Sequence, residues 1–263
     1  MQAQTAPPWY VISLRPRGEH AAMRRAAARR GAQVIALSPW KLVARTDAQA
    51  WHALDAALRA SRVVFTSPAA VRMATQLCRD HGQALGARSS TVAAWIGVGA
   101  GTAAALRRAG VSQVQSPTRM DSEGVLALPT LQDVAGAEVG LVTAPGGRDA
   151  IGPALQARGA RVLRADVYER MPLPPSPRAA SPGRAARGTG VLTASSSGAL
   201  EQVLAGVPDA DAARLRAMAL VVASTRMADL AQALGFARVA VASGPQPEAL
   251  IAAACALASG SMR

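Results

Sequence analysis

The chain has 263 residues, half of them apolar, and a formal charge of +13; it is long enough for one large or two medium α/β domains with a sizeable core. Its basic residues are nearly all Arg, Lys41 being the single Lys, and they are spread along the whole chain, which argues against a nucleic-acid tail or a polybasic membrane anchor. No apolar run reaches transmembrane length, and residues 1–8 lack the basic-then-apolar order of a signal peptide, so the expected setting is cytoplasmic.

In chain order, residues 9–14 read as a first strand, 15–18 as the turn after it, and 19–30 as a helix stopped by Gly31. Residues 34–37 are a second strand, and 48–58 a helix. Val63-Val64-Phe65 is a short apolar run that ends at Thr66-Ser67-Pro68. Here a strand meets a helix directly, with Ser67 as N-cap and Pro68 as first helical residue. That helix runs to about residue 81. A strand over 91–98 leads into the glycine-rich turn Gly97-Val98-Gly99-Ala100-Gly101-Thr102, then a helix over 103–108 with Thr102 as cap. Residues 111–114 are a short strand, and 122–131 a helix capped by Ser122. The order then starts again: strand 139–143, turn Ala144-Pro145-Gly146-Gly147-Arg148, helix 149–158, Gly159, and strand 162–168 ending at Tyr168. A Pro-, Arg- and Gly-rich stretch over 172–190 reads as loop or linker. A second strand-to-helix edge follows at Ala194-Ser195-Ser196-Ser197, then a strand over 218–223, a turn at Ser224-Thr225-Arg226, a helix over 228–234, a strand over 239–241 and a last helix over 248–257.

Strand and helix alternate throughout, the signature of parallel sheets flanked by helices. The repeat is internal: the unit around Arg15 and Gly31 recurs around Pro145 and Gly159, the Ser67 edge recurs at Ser195, and the Gly99 turn before Gly110 recurs as the Ser224 turn before Gly235. Two similar halves imply two lobes with a cleft between them. In such sheets ligands bind beyond the carboxyl ends of the strands.

The glycine-rich turn is not a dinucleotide fingerprint, because its third glycine falls at Gly101 where the pattern needs residue 102. Pro145-Gly146-Gly147-Arg148 offers successive backbone N–H groups beside a guanidinium, a carboxylate or phosphate nest. It is not a Walker motif. His20, His52 and His81 fall within or at the ends of helices and read as surface residues. Cys78 and Cys255 read as buried structural thiols rather than a disulfide or metal site. There is no Gly-x-Ser-x-Gly elbow. The residues alone therefore describe a two-lobed, cofactor-free and metal-free protein whose cleft offers hydrogen-bond donors to a polyanion.

Leu14-Arg15-Pro16, Phe65-Thr66-Ser67-Pro68-x-Ala70-Val71, Val98-Gly99-x-Gly101-Thr102-Ala103, Pro145-Gly146-Gly147, Val167-Tyr168, Ala194-Ser195-x-Ser197 and Ser224-Thr225-Arg226-Met227-Ala228 together resemble the uroporphyrinogen-III synthase family. The resemblance runs from Val11 to about Leu257. It implies two flavodoxin-like lobes joined by a two-stranded linker: residues 1–43 with 172–263 in one, 45–166 in the other, and 38–44 and 167–171 as connecting strands. The implied substrate is hydroxymethylbilane, a linear tetrapyrrole with eight carboxylates. It loses water to give an azafulvenium cation, closes through a spiro intermediate and reopens with its last ring inverted, with no cofactor. In water it also ionises unaided and gives the non-inverted isomer I. The resemblance further implies that Tyr168 assists departure of the hydroxyl and that Arg15, Thr66, Ser67, Gly99, Thr102, Gly146, Gly147, Arg148, Ser195, Ser197, Ser224 and Arg226 bind substrate, in a monomer. The competing expectation is a non-catalytic two-lobed protein that binds an anionic small molecule or regulates in its presence. Isomer analysis separates the two.

Overall fold

The computed structural model describes residues 9–90, 94–146, 150–175 and 188–260. The chain divides into two compact units, Met1–Lys41 with Met171–Arg263, and Leu42–Arg170.

The first unit is built on β1 (Trp9–Ser13), β2 (Gln33–Ala36), β10 (Thr189–Ala194), β11 (Ala219–Val222) and β12 (Val239–Val241). They form one parallel sheet in the order β12-β11-β10-β1-β2. Its helices are α1 (Ala21–Ala28), α7 (Ser197–Gly206), α8 (Asp209–Ala217), α9 (Thr225–Ala233) and α10 (Pro247–Ala258). Side chains alternate across a strand, and the two faces of this sheet carry separate apolar clusters. Ile12, Leu192, Leu220 and Val222 pack with Leu200, Leu215 and Met227 on one side. Val11, Val191 and Val221 pack with Met23, Leu250 and Ile251 on the other.

The second unit repeats the plan. Strands β4 (Arg62–Phe65), β5 (Ala94–Gly97), β6 (Val114–Gln115), β7 (Glu138–Thr143) and β8 (Arg161–Asp166) form a parallel sheet in the order β6-β5-β4-β7-β8. Helices α2 (Ala48–Ala57), α3 (Pro68–Asp80) and α4 (Ala100–Arg108) lie on one face, with Phe65, Trp95 and Val142 in their core. On the other face, α5 (Ser122–Leu126) and α6 (Ile151–Ala157) cover Val64, Ile96 and Leu141. Strands β3 (Trp40–Ala44) and β9 (Tyr168–Pro172) pair with each other where the chain passes between units.

The internal repeat holds at the level of topology. β1 and β2 occupy the places of β7 and β8, and β10, β11 and β12 those of β4, β5 and β6. In each sheet the strand order reverses once, between β4 and β7 and between β10 and β1. Beyond the carboxyl ends at such a reversal, neighbouring loops diverge and leave a crevice.

Several local expectations change. Helix α4 opens at Ala100 with Gly99 as N-cap, so Thr102 is not a cap but the third helical residue, its N–H donated to the Gly99 carbonyl at 2.9 Å. Asp121, not Ser122, caps α5, because its carboxylate accepts from the Gly124 N–H at 2.8 Å. That helix stops at Leu126 rather than residue 131, since Pro129 has no N–H to continue it; a 3-10 turn, Pro129–Leu131, follows. Tyr168 opens β9 instead of ending β8, because the chain changes pairing partner after Asp166. Thr225 and Arg226 lie in the first turn of α9, behind the extended N-cap Ser224, and not in a separate turn. Cys78 is buried but Cys255 only partly so. Among the described residues no helix is long and apolar enough to cross a membrane.

Candidate functional site

In the second unit the reversal between β4 and β7 gathers hydroxyls. The Thr66 N–H donates to the Val142 carbonyl at 3.1 Å, and Thr66 Oγ1 donates to Thr143 Oγ1 at 2.9 Å. Ser67 is the N-cap of α3, its Oγ accepting from the Ala70 N–H at 3.0 Å, with Pro68 in the first turn. The same Oγ lies 3.3 Å from the phenol oxygen of Tyr168. Tyr168 is 4% exposed and its ring packs into the α2–α4 core. The Ser67 hydroxyl accepts from Ala70 and keeps both a proton and a second lone pair, so either hydroxyl of the Ser67–Tyr168 pair can donate to the other.

On the β5 side, the Val98 N–H donates to the Phe65 carbonyl at 3.1 Å, so the turn carrying Gly99 leaves the sheet beside Thr66. A Cβ on Gly101 would sit 3.6 Å from the Pro68 ring, so α4 starts beside the start of α3. Thr102 is buried. On the β7 side, Gly146 has φ +73°, a left-handed conformation suited to a nest of N–H groups. Gly147 and Arg148 lie outside the described residues. Sequence reasoning passes over Arg170 of β9, whose Nη1 donates to the Pro145 carbonyl at 2.9 Å; the contact spans 25 residues and has no local signal.

In the first unit the reversal lies between β10 and β1. The Leu14 N–H donates to the Thr193 carbonyl at 3.2 Å, which brings the Arg15 turn beside the end of β10, where Ser195 follows Ala194. Ser196 is the N-cap of α7 but makes no side-chain cap bond, and Ser197 is the first helical residue. Ser224 stands after β11, one strand further out, and Arg226 is exposed. Arg15 Nη2 donates to the Pro245 carbonyl at 3.2 Å. Burial pulls the Arg15 guanidinium below its usual range, and Glu19 and Glu248 act against that pull.

His20 overturns the surface expectation, while His52 and His81 are exposed as expected. His20 is 2% exposed and stands at the end of β1, with Nδ1 3.1 Å from Ser13 Oγ and Nε2 2.9 Å from Ser38 Oγ. Burial first, then the charges of Arg24 and Arg15, push its pKa down to about 4 from 6.5. The unfolded chain takes up this proton near pH 6.5 and the folded chain only near pH 4. The stability contributed by the neutral ring is complete above pH 6.5 and is lost as pH falls through that window, by about 3 kcal/mol in full. Urea unfolding should therefore show a steeper acid-side decline for the wild type than for His20→Gln between pH 6.5 and 4. Equal slopes would contradict this. His81 stacks on Trp51 with ring centroids 4.0 Å apart, and His52 is exposed. Among the described residues no three His, Cys, Asp or Glu side chains converge as a metal site.

Caps and ligands separate by stability. Ser67→Ala removes a made cap bond and should cost about 1 kcal/mol. Ser195→Ala removes no helix cap and should melt within a degree or two of wild type, so any loss of ligand affinity in that variant marks Ser195 as a contact. A Ser195→Ala protein that melts as early as Ser67→Ala contradicts this reading.

A family model described as "Uroporphyrinogen-III synthase HemD" matches residues 21–252. The chain is 31% identical over 161 residues to the uroporphyrinogen-III synthase of Escherichia coli and 32% identical over 162 residues to that of Salmonella typhimurium. Each match covers 60% of this chain and 65% of the relative's length. In fold, the chain is similar to a mutant uroporphyrinogen III synthase from the extreme thermophile Thermus thermophilus, with TM-score 0.63, 17% identity, and 96% and 99% of the two chains covered. It is also similar to uroporphyrinogen-III synthetase from Helicobacter pylori, with TM-score 0.62, 12% identity, and 94% and 99% covered.

Proposed function

The chain belongs to the uroporphyrinogen-III synthase family, and we propose that it closes hydroxymethylbilane to uroporphyrinogen III, acting as a monomer without a cofactor. The observation that carries this reading is the family match over residues 21–252. The substrate loses its terminal hydroxyl as water and becomes a cation. Its last ring attacks through the substituted carbon to give a spiro intermediate, which reopens and recloses inverted. Electrophile and nucleophile both belong to the substrate, so the protein's levers are positioning and help with the departing hydroxyl.

The Ser67–Tyr168 pair suits the second task. The phenol donates to the leaving oxygen, and the Ser67 hydroxyl, held by the Ala70 N–H, stabilises negative charge as it develops on the phenol oxygen. For the eight carboxylates, the reading assigns the guanidinium groups of Arg15, Arg148 and Arg226. It adds the hydroxyls of Thr66, Thr102, Ser195, Ser197 and Ser224 and the backbone at Gly99, Gly146 and Gly147. Charge-assisted contacts of this kind are screened by salt. Raising ionic strength from about 0.05 to about 0.5 M should raise KM for hydroxymethylbilane while kcat and the melting temperature hold. A KM that stays flat would leave the +13 charge without a role in binding. The activity itself is tested by adding purified protein to hydroxymethylbilane and separating product isomers I and III.

A further inference from the structure

The cluster around His20 has no part in the chemistry above. It lies at the carboxyl end of β1, beside the strand-order reversal of the first unit. Ser13, the last residue of β1, is fully buried, and its hydroxyl faces His20 Nδ1; Ser38, just past β2, faces Nε2. A neutral imidazole has one donor and one acceptor nitrogen, so the ring bonds the two hydroxyls in opposite senses and bridges the ends of adjacent strands.

The chain between Ser13 and His20 is the turn that carries Arg15. Its other ties include Leu14 N–H to the Thr193 carbonyl at 3.2 Å, Arg17 N–H to the Trp40 carbonyl at 2.9 Å and Glu19 N–H to the Pro16 carbonyl at 3.0 Å, and Arg15 Nη2 to the Pro245 carbonyl at 3.2 Å. His20 closes the turn, being the N-cap residue of α1 without a side-chain cap bond. Arg15 Nε is buried and Nη2 is tied to the Pro245 carbonyl, so the guanidinium is packed and oriented before any ligand arrives. A guanidinium held in advance loses less freedom when it binds a carboxylate than one on a loose turn.

We propose that His20 is a positioning residue for ligand binding: by bridging Ser13 and Ser38 it fixes the 14–19 turn, so that Arg15 presents a preset guanidinium to a carboxylate of the ligand. The proposal rests on the reading of Arg15 as a substrate contact. The groups facing the ring are the Ser13 hydroxyl from β1, the Ser38 hydroxyl beyond β2, Arg15 from the turn and Arg24 from α1.

The test is a double-mutant cycle of His20→Gln and Arg15→Gln. It reads KM and kcat for hydroxymethylbilane and, separately, the Kd for uroporphyrin III, a stable octacarboxylate, by quenching of Trp fluorescence. Arg15→Gln should raise KM and Kd about tenfold or more. His20→Gln should raise them several-fold with kcat nearly unchanged, and the double variant should be no worse than Arg15→Gln alone. A His20 that only holds the fold would lower stability and leave KM and Kd unchanged. Unchanged KM and Kd in a folded His20→Gln protein, or fold-changes that multiply in the double variant, would overturn the proposal. Should His20→Gln fail to fold, Ser38→Ala, which cuts only the Nε2 bond, takes its place in the same cycle. A wild type that yields no isomer III sinks the assigned reaction, and coupling in the uroporphyrin III Kd then decides the His20 proposal by itself. A wild type that does not bind uroporphyrin III either overturns both.

Discussion

Tyr168→Phe should leave a folded protein whose turnover falls by about 10²- to 10⁴-fold, the usual worth of a positioned acid. The ring is buried among the α2–α4 core residues, and Phe keeps that packing. What is lost is one hydroxyl, 3.3 Å from Ser67 Oγ. Ser67 keeps its bond from the Ala70 N–H, so the α3 cap survives and the melting temperature should move by only a few degrees. The product should change as well as the rate. Since hydroxymethylbilane ionises unaided in water and then closes without inversion, a slowed enzyme lets isomer I accumulate beside isomer III. Single-turnover kinetics with product separation reads both effects. Near-normal turnover in the Phe variant would make Tyr168 a packing residue and leave the reaction to positioning by Arg and backbone N–H groups.

A large loss of stability is expected from Gly140→Ala. Gly140 lies in the middle of β7, paired with Val63 on one side and Leu163 on the other. A Cβ built there meets the backbone of Ala57 at the end of α2, 2.9 Å from its carbonyl carbon and closer still to the oxygen. Backbone cannot rotate away as a side chain would. Helix and strand must separate along a contact that also holds Leu54 and Leu58 buried. Overpacking of a core typically costs about 1–3 kcal/mol, and a clash with main chain belongs at or beyond about 3 kcal/mol, roughly a 10 °C drop in melting temperature for a chain of this size. Gly31→Ala is the control: its φ of +68° strains the new residue, but nothing lies within 4 Å, so the cost is about 1 kcal/mol. Equal melting of the two variants would contradict the close packing of α2 on β7.

Much of the fold is legible in the sequence because its signals are local. Ser67-Pro68 after a β-branched run marks a strand-to-helix junction by cap and N1 chemistry alone, and the same junction near Ser195 exposes the repeat that the two sheets share. Other features are hidden because their cause is tertiary. Helix α8 begins at Asp209 after Pro208 and buries only Ala212 and Leu215, so its charged and Ala-rich sequence carries no apolar stripe to read. His20 stands between Glu19 and Arg24, a setting that looks exterior; what buries it are Ser13 and Ser38, brought in by β1 and β2. Thr102 reads as a cap because a run of glycines reads as loop, although Gly99 here is an N-cap and Gly101 lies inside α4. The pairing of Ser67 with Tyr168 spans 101 residues and becomes visible only once β3 and β9 are seen to pair.

The central claim is that this chain directs ring closure of hydroxymethylbilane. Its most direct test is the isomer composition of the product formed with and without the purified protein, under conditions where the substrate also closes by itself. The account predicts that isomer III dominates with protein and isomer I without it, and that the share of III rises with protein concentration. Isomer I alone at every protein concentration would contradict it.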